Sequence, residues 1–198
     1  MRKIIATEFY SLDGFMSDPG DSMDWVINSF DPELGKYEAE LYDQADTLLL
    51  GRVTYKIFES YWPTAATNPD APESDIEMAH KINNIKKIVF SKSLKKVDWK
   101  NSKILNEINP KEIARMKESS GKNILIVGSA SIVQQLTNFD LIDEYHFVIH
   151  PIILGVGKPL FANIKNRVML NLIDIKTFKN GVELVCYQKN HLVNSLKN

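Results

Sequence analysis

Two short apolar runs in this chain stop at a glycine and turn at once into helical spacing. In "TLLLGRVTYKIF" the run ends at Gly51. In "ILIVGSASIVQQL", residues 124–136, it ends at Gly128, and Ser129, Ala130 and Ser131 intervene before Ile132, Val133 and Leu136 share a helical face. An apolar strand without polar alternation is buried on both faces, which calls for a parallel sheet covered by helices. At the carboxyl ends of such strands glycine lets the backbone approach a ligand, and the next helix offers N–H groups that lack partners. The two turns therefore carry two readings: tight connections, or a site for phosphate.

The other segments fit the same plan. Residues 3–10, "KIIATEFY", read as a strand closed by the turn pairs Asp13-Gly14 and Pro19-Gly20, after which a long polar loop with aromatics follows. Asp31 as N-cap and Pro32 at the first helical position open a helix with Leu34, Tyr37, Leu41 and Ala45 at helical spacing. A helix is predicted over 52–62, a Pro-rich mobile loop over 63–75, and a polar helix ending near Asn83. Strands are predicted at 86–91, at an edge over 103–106, at 123–127, and as one long strand over 141–154; 109–121 reads as a capped helix and 155–161 as a loop. Residues 168–178 and 181–188 make an antiparallel hairpin across "KNG". The expected fold class is α/β, a mostly parallel central sheet flanked by helices with a C-terminal antiparallel hairpin at one edge, in a single domain over residues 1–198.

A formal net charge of −1 gives no general attraction to nucleic acid or anionic membrane, so a bound anion must be held by a local site. The single cysteine, Cys186, excludes an intrachain disulfide and a cysteine-based zinc site, and within "GVELVCYQ" it reads as a half-buried strand residue. His80, His146, His150 and His191 show no ligand spacing, so no metal is expected. No apolar span approaches ~20 residues and no signal cleavage site follows the N-terminus, so a cytoplasmic protein without a membrane helix is expected. Neither G-x-G-x-x-G nor the Walker pattern is present, which rules out an ordinary Rossmann or P-loop site. What the turn after Gly51 does offer is the permanent charge of Arg52 and the hydroxyl of Thr54.

Taken in order, "SLDGF", "LLLGRVTY", "VFSKSL", "IVGSASIVQQL" and "DEYHFVIHPIILGVGKPLF" resemble the dihydrofolate reductase superfamily, in particular its branch containing the reductase domain of riboflavin biosynthesis. The resemblance runs over about residues 2–189. It implies a dihydrofolate reductase-like fold and a homodimeric, NADPH-dependent oxidoreductase that passes a hydride to a small heterocyclic or carbonyl substrate. It places Gly51, Arg52 and Thr54 against the adenosine ribose and phosphates, with Arg52 near the 2′-phosphate, which Ser91 and Lys92 also recognise. It further implies that Gly128, Ser129, Ala130, Ser131 and Ile132 cradle the pyrophosphate, and that Leu154 and Gly155 neighbour the nicotinamide. Relatives often carry two glycines where this chain has Gly128-Ser129, a bond that superfamily members can hold cis.

The substrate side reads less sharply. Asp13 is the candidate for a catalytic role, with Phe15 and Trp25 able to stack on a flat heterocycle; turn formation and loop packing are the alternatives for all three. In dihydrofolate reductase an acid on the first long helix orients the pterin, and Glu38, Glu40 and Asp43 all lie in the corresponding stretch, each compatible with an exposed helix face. The zinc deaminase motifs H-x-E and P-C-x-x-C of the fused riboflavin enzyme are missing, so only a reductase step is implied. Lys158 is a candidate partner for a substrate phosphate, or a solvated loop lysine. The alternative functions are a dihydrofolate or pterin reductase, and a nucleotide-binding protein of this fold without chemistry. The strand "YHFVIHPIIL" and the closing hairpin are the surfaces expected to pair in a dimer.

Overall fold

The computed structural model describes residues 1–29 and 31–190, and the predicted His191 lies outside them. The elements run β1 (Ile4–Ser11), β2 (Phe15–Ser17), α1 (Asp24–Asn28), α2 (Pro32–Asp43), β3 (Ala45–Gly51), α3 (Arg52–Ala65), α4 (Glu73–Asn84) and β4 (Lys86–Phe90). They continue with β5 (Ser102–Leu105), α5 (Pro110–Glu118), β6 (Asn123–Val127), α6 (Ala130–Asn138), β7 (Glu144–His150), β8 (Lys158–Pro159), β9 (Leu170–Thr177) and β10 (Glu183–Lys189). The eight-stranded sheet has the order β5-β4-β3-β6-β1-β7-β10-β9. Its pairings are parallel from β5 to β7 and antiparallel from β7 to β9. This is the architecture of the dihydrofolate reductase-like fold.

Connection handedness places the helices. From β3 the chain moves outward to β4 and β5, whereas from β6 it crosses to β7 in the opposite direction. Right-handed crossovers in opposite directions put their helices on opposite faces. Accordingly Leu41 and Tyr42 of α2, Tyr55 of α3 and Ile82 of α4 pack with Leu48, Leu50 and Val89 on one face. Ile113 of α5 and Ile132, Val133 and Leu136 of α6 pack with Ile4, Ala6, Leu49 and Ile88 on the other. The unbroken run Leu48-Leu49-Leu50 thus serves both cores, since successive side chains alternate across the sheet. Because β3 and β6 are neighbours whose connections leave in opposite directions, a crevice opens beyond their carboxyl ends.

The capped helices form as their sequences require. Asp31 accepts from the Glu33 N–H at 2.8 Å ahead of α2, and Asn109 accepts from the Lys111 N–H at 3.0 Å ahead of α5; each has proline at the first helical position. Other expectations need correction. The long strand over 141–154 pairs only from Glu144 to His150, because Pro151 has no N–H to continue the ladder. It lies between β1 and β10, so both of its ladder edges are taken, whereas β9 of the hairpin is an edge strand. Helix α3 passes through Pro63 to Ala65, which shortens the predicted loop. The short α1 and the β2–β8 ribbon lie within segments read as loops. No helix among the described residues is long and apolar enough to cross a membrane.

One buried cation fixes the junction of α4 with the sheet. Lys87 of β4 is fully buried, and its Nζ donates to the carbonyls of Ile82 at 2.7 Å, Ile85 at 2.9 Å and Asn83 at 3.3 Å while lying 4.1 Å from the Trp99 ring centroid. Burial pushes the amine down to about 7. Three carbonyl acceptors at a helix C-terminus and an indole face oppose that push and favour the ammonium. Lys87→Met leaves three carbonyls without their donor and is expected to cost about 2–3 kcal/mol in urea unfolding. A loss below ~0.5 kcal/mol, the range of ordinary surface changes, would show that Lys87 is not an anchor.

Candidate functional site

The turns after β3 and β6 are stitched together across the crevice. Thr54 Oγ1 donates to the Gly128 carbonyl at 2.6 Å, and Ser129 Oγ accepts from the Gly51 N–H at 2.9 Å and donates to the Val127 carbonyl at 3.0 Å. The two hydroxyls lie 3.2 Å apart. Gly128 has φ +58°, and a Cβ there would come within 3.2 Å of Thr54 Cγ2, so conformation and space both call for glycine. The Gly128–Ser129 bond is trans. Beneath the turn, Glu8 of β1 accepts from the N–H groups of Ser129, at 3.3 Å, and Gly128. Burial pushes the Glu8 carboxyl well above the usual range, against the two backbone N–H groups that lower it. Its Oε2, like the neighbouring Thr7 hydroxyl, is buried without a partner.

Above this stitch lies a cleft of about 310 Å³ lined by residues 51–54, 90–93 and 128–131 and by Lys158. The structure therefore brings three separate sequence motifs to one place, and it shows what several of their side chains bond to. The hydroxyls of Thr54 and Ser129 are engaged in holding the turns. Ser91 Oγ accepts from the N–H groups of Leu94, at 2.9 Å, and Ser93, at 3.2 Å, and so shapes the exit from β4. Ile132 is packed in the core and anchors α6; the N-cap position of that helix is Ser129, not Ser131. Left facing solvent are Arg52, Lys92, Lys158 and the Ser131 side chain, beside the first N–H groups of α6. Lys158 is shared with Asp21 at 3.4 Å, an exposed pair that solvent weakens. Cations and N–H donors around a small cleft are the chemistry of phosphate binding.

Asp13, Leu154 and Gly155 form a second group. Asp13 Oδ1 accepts from Ser11 Oγ at 2.6 Å and the Leu154 N–H at 3.1 Å, and Oδ2 accepts from the Gly155 N–H at 2.7 Å. The Ser11 bond, opposed by desolvation and helped by the Gly155 and Leu154 amides, holds the carboxyl below its usual range. Asp13 thus clamps two loops together. Phe15 is half-buried in the β2–β8 ribbon, pressed by Gly157, where any side chain would collide with Ser17 and Phe15. Trp25, on α1, meets the His150 ring edge-on and not an open face for stacking.

Among the acids of α2 the structure separates one from the rest. Glu40 is exposed and Asp43 pairs with Lys81, whereas burial pushes the Glu38 carboxyl up to about 7. Glu38 and Glu8 both act electrostatically on Tyr42. Glu38 lies between Leu34 and Leu41 on the apolar stripe, so its burial was readable from spacing. Glu8 had a weaker signal, a lone carboxylate inside an apolar strand. Of the histidines, His80 is exposed, while His146 bridges the Tyr37 hydroxyl at 2.5 Å and Glu144 at 3.2 Å in a buried network. No group of side chains that could hold a metal ion occurs among the described residues.

Comparison with known proteins agrees with this arrangement. The pattern of the RibD C-terminal domain matches residues 2–184. The uncharacterized protein YyaP of Bacillus subtilis (strain 168) is 34% identical over 193 residues, spanning 96% of each chain. Among solved structures, a putative riboflavin biosynthesis protein from Shewanella sp. PV-4 superposes with TM-score 0.73 at 22% identity, over 96% of this chain and 99% of that one. A diaminohydroxyphosphoribosylaminopyrimidine deaminase/5-amino-6-(5-phosphoribosylamino)uracil reductase from Thermotoga maritima superposes with TM-score 0.64 at 13% identity, over 96% of this chain and 57% of that one.

The Asp13 clamp gives a direct test. Asp13→Ala should speed hydrogen exchange at the Leu154 and Gly155 amides by about tenfold or more, with the Gly51 and Ser129 amides unchanged. In the unaltered protein the same amides should be protected above pH 3.8, the ordinary carboxyl value, and lose protection only as pH falls below it through the depressed value. Unchanged exchange in the variant would remove the clamp.

Proposed function

Because the chain belongs to the RibD C-terminal domain family, we propose that it is an NADPH-dependent reductase that passes a hydride to a small heterocyclic substrate, in the manner of 5-amino-6-(5-phosphoribosylamino)uracil reductase. The observation that carries this reading is the cleft at the β3–β6 crevice, where Arg52, Lys92 and the start of α6 converge. Its donors fit a dinucleotide phosphate: a guanidinium fork, an ammonium, a hydroxyl and backbone N–H groups around a glycine that admits close approach. The cofactor, when bound, supplies the hydride. The chain positions it through Arg52, Lys92, Ser131 and the α6 amides, while Thr54, Ser129 and Glu8 hold the turn rigid beneath. The Asp13 clamp fixes the loop carrying Leu154 and Gly155, on which the nicotinamide and substrate would border. A cytoplasmic setting is part of the proposal, with which the buried free thiol of Cys186 agrees.

A pterin or folate reductase is the second reading, and Glu38 favours it. A half-buried acid on the first long helix, pushed up to about 7, can exchange a proton near neutrality and hold the edge of a pterin. Turnover of dihydrofolate against turnover of the ribosylaminopyrimidine intermediate separates the two. Tight NADPH binding with no oxidation by any pterin, pyrimidine or quinone-like acceptor would instead identify a cofactor-binding protein without chemistry.

Arg52→Ala should weaken NADPH by about tenfold or more and leave NADH nearly unchanged, since the charged contact is to the 2′-phosphate that distinguishes them. Equal losses for both cofactors, measured by fluorescence titration, would sink that role.

We also propose a homodimer joined at β9, an edge strand whose Leu172, Ile173 and Ile175 are 55%, 43% and 55% exposed. Ile175→Lys should convert a dimer to a monomer in light scattering; a monomeric unaltered protein overturns the assignment.

A further inference from the structure

The two buried nitrogens where α1 meets β7 have complementary hydrogen-bonding capacity and, among the described residues, no partners. His150 ends β7 and is 1% exposed. Its Nδ1 lies 2.8 Å from Ser29 Oγ, and that oxygen lies 2.6 Å from the Trp25 carbonyl. A carbonyl can only accept, so the single Ser29 hydroxyl proton goes to Trp25 and the imidazole must donate from Nδ1. This leaves His150 Nε2 as a bare acceptor, buried without a partner. Burial also pushes the ring down to about 4, so it remains neutral and accepting near pH 7. The Trp25 indole meets it edge-on with ring centroids 5.1 Å apart, and its Nε1–H, a pure donor, is likewise buried and unpartnered.

An unpaired donor beside an unpaired neutral acceptor selects among ligands. A phosphate or carboxylate offers only acceptors and would meet the His150 lone pair; an ammonium offers only donors and would meet the indole N–H. A cyclic amide presents both on one edge. The pair also lies where a substrate belongs: His150 registers with Ser11 of β1, and β1 alone separates β7 from β6 and its Gly128 turn. That is two strand spacings, about 10 Å, across the sheet and about 10 Å farther along the strands, since Val127 registers with Thr7.

We propose that Trp25 and His150 are the specificity-determining residues of this protein's substrate site and read a lactam edge, the indole donating to the ring carbonyl and Nε2 accepting from the ring N–H. The proposal rests on the reductase reading and assigns the residues that recognise the substrate ring. Both atoms are covered by α1, a five-residue helix, so a substrate enters by displacing that segment. Ser29 is a positioning residue, since it sets the imidazole tautomer.

Uracil and its di-N-methyl derivative, which keeps both carbonyls and lacks both N–H groups, are the probes. Titrated into ¹⁵N-labelled protein, uracil should move the Trp25 indole N–H resonance, assigned by its loss in Trp25→Phe, and should bind about tenfold or more tightly than the methylated ring. His150→Asn keeps a donor near the Nδ1 position and deletes the Nε2 acceptor, so it should abolish that preference. Trp25→Phe should weaken both probes alike. Equal binding of the two probes to the unaltered protein overturns the proposal without requiring any variant to fold, as does a preference that survives in His150→Asn. NADPH is titrated in parallel. Failure of uracil to bind while NADPH binds overturns the lactam site and leaves the reductase reading standing; a lactam preference without NADPH binding supports the site and removes the reductase reading.

Discussion

The bond between Thr54 and the Gly128 carbonyl, with the Ser129 hydroxyl beneath it, is the constraint on which the site depends. Strands β3 and β6 are adjacent, yet the chain leaves them towards opposite edges of the sheet, and α3 and α6 start on opposite faces. Parallel strands are held by their ladder only as far as it runs, and beyond it the two turns would splay. Two hydroxyls joined to the facing backbone close that gap. They also satisfy polar backbone groups that burial would otherwise leave unpaired. Small residues at positions 128–131 are what this closeness requires, and the same closeness aims the α6 N–H groups and Arg52 into one cleft. Tight turn and phosphate site were offered as alternatives by the sequence; the fold shows the tight turn, and the proposed phosphate site is built on it.

Two carboxyls on one strand and its following turn show how environment divides identical chemistry. Glu8 is enclosed and faces two backbone N–H groups, which oppose desolvation without offsetting it, so its carboxyl is raised. Asp13 is exposed and receives a hydroxyl and two amides, so it loses its proton more readily than a free carboxyl. Desolvation dominates at the first carboxyl, and hydrogen bonds dominate at the second.

Sequence reading succeeded where local chemistry decides structure. The caps at Asp31 and Asn109, the apolar strands ending at Gly51 and Gly128, and the edge hairpin all rest on rules that operate within a few residues. Two local signals were present and missed: Pro151 marks the end of a strand read through to residue 154, and the stripe of Leu34 and Leu41 marks the burial of Glu38, read as compatible with an exposed face. What sequence could not supply was the partner of each hydroxyl. A serine or threonine near a helix start serves a turn or a ligand equally well, and the bond that Thr54 makes depends on a turn 74 residues away. The α1 helix and the β2–β8 ribbon are too short to show a period at all.

The division between legible and illegible falls along the functional division of the site. Its anion-binding side is built from turns whose positions the sheet dictates, so the same residues that specify the fold specify that side. Its other side consists of α1, the β2–β8 ribbon and the loop from 152 to 157, held in place by Asp13, Ser29 and His150 and by no sheet ladder of the core. Such segments can change length and chemistry without disturbing the packing of either core. A fold of this kind can therefore retain one mode of phosphate binding while the short connections redefine the ring presented to it, and substrate identity is to be sought in those connections.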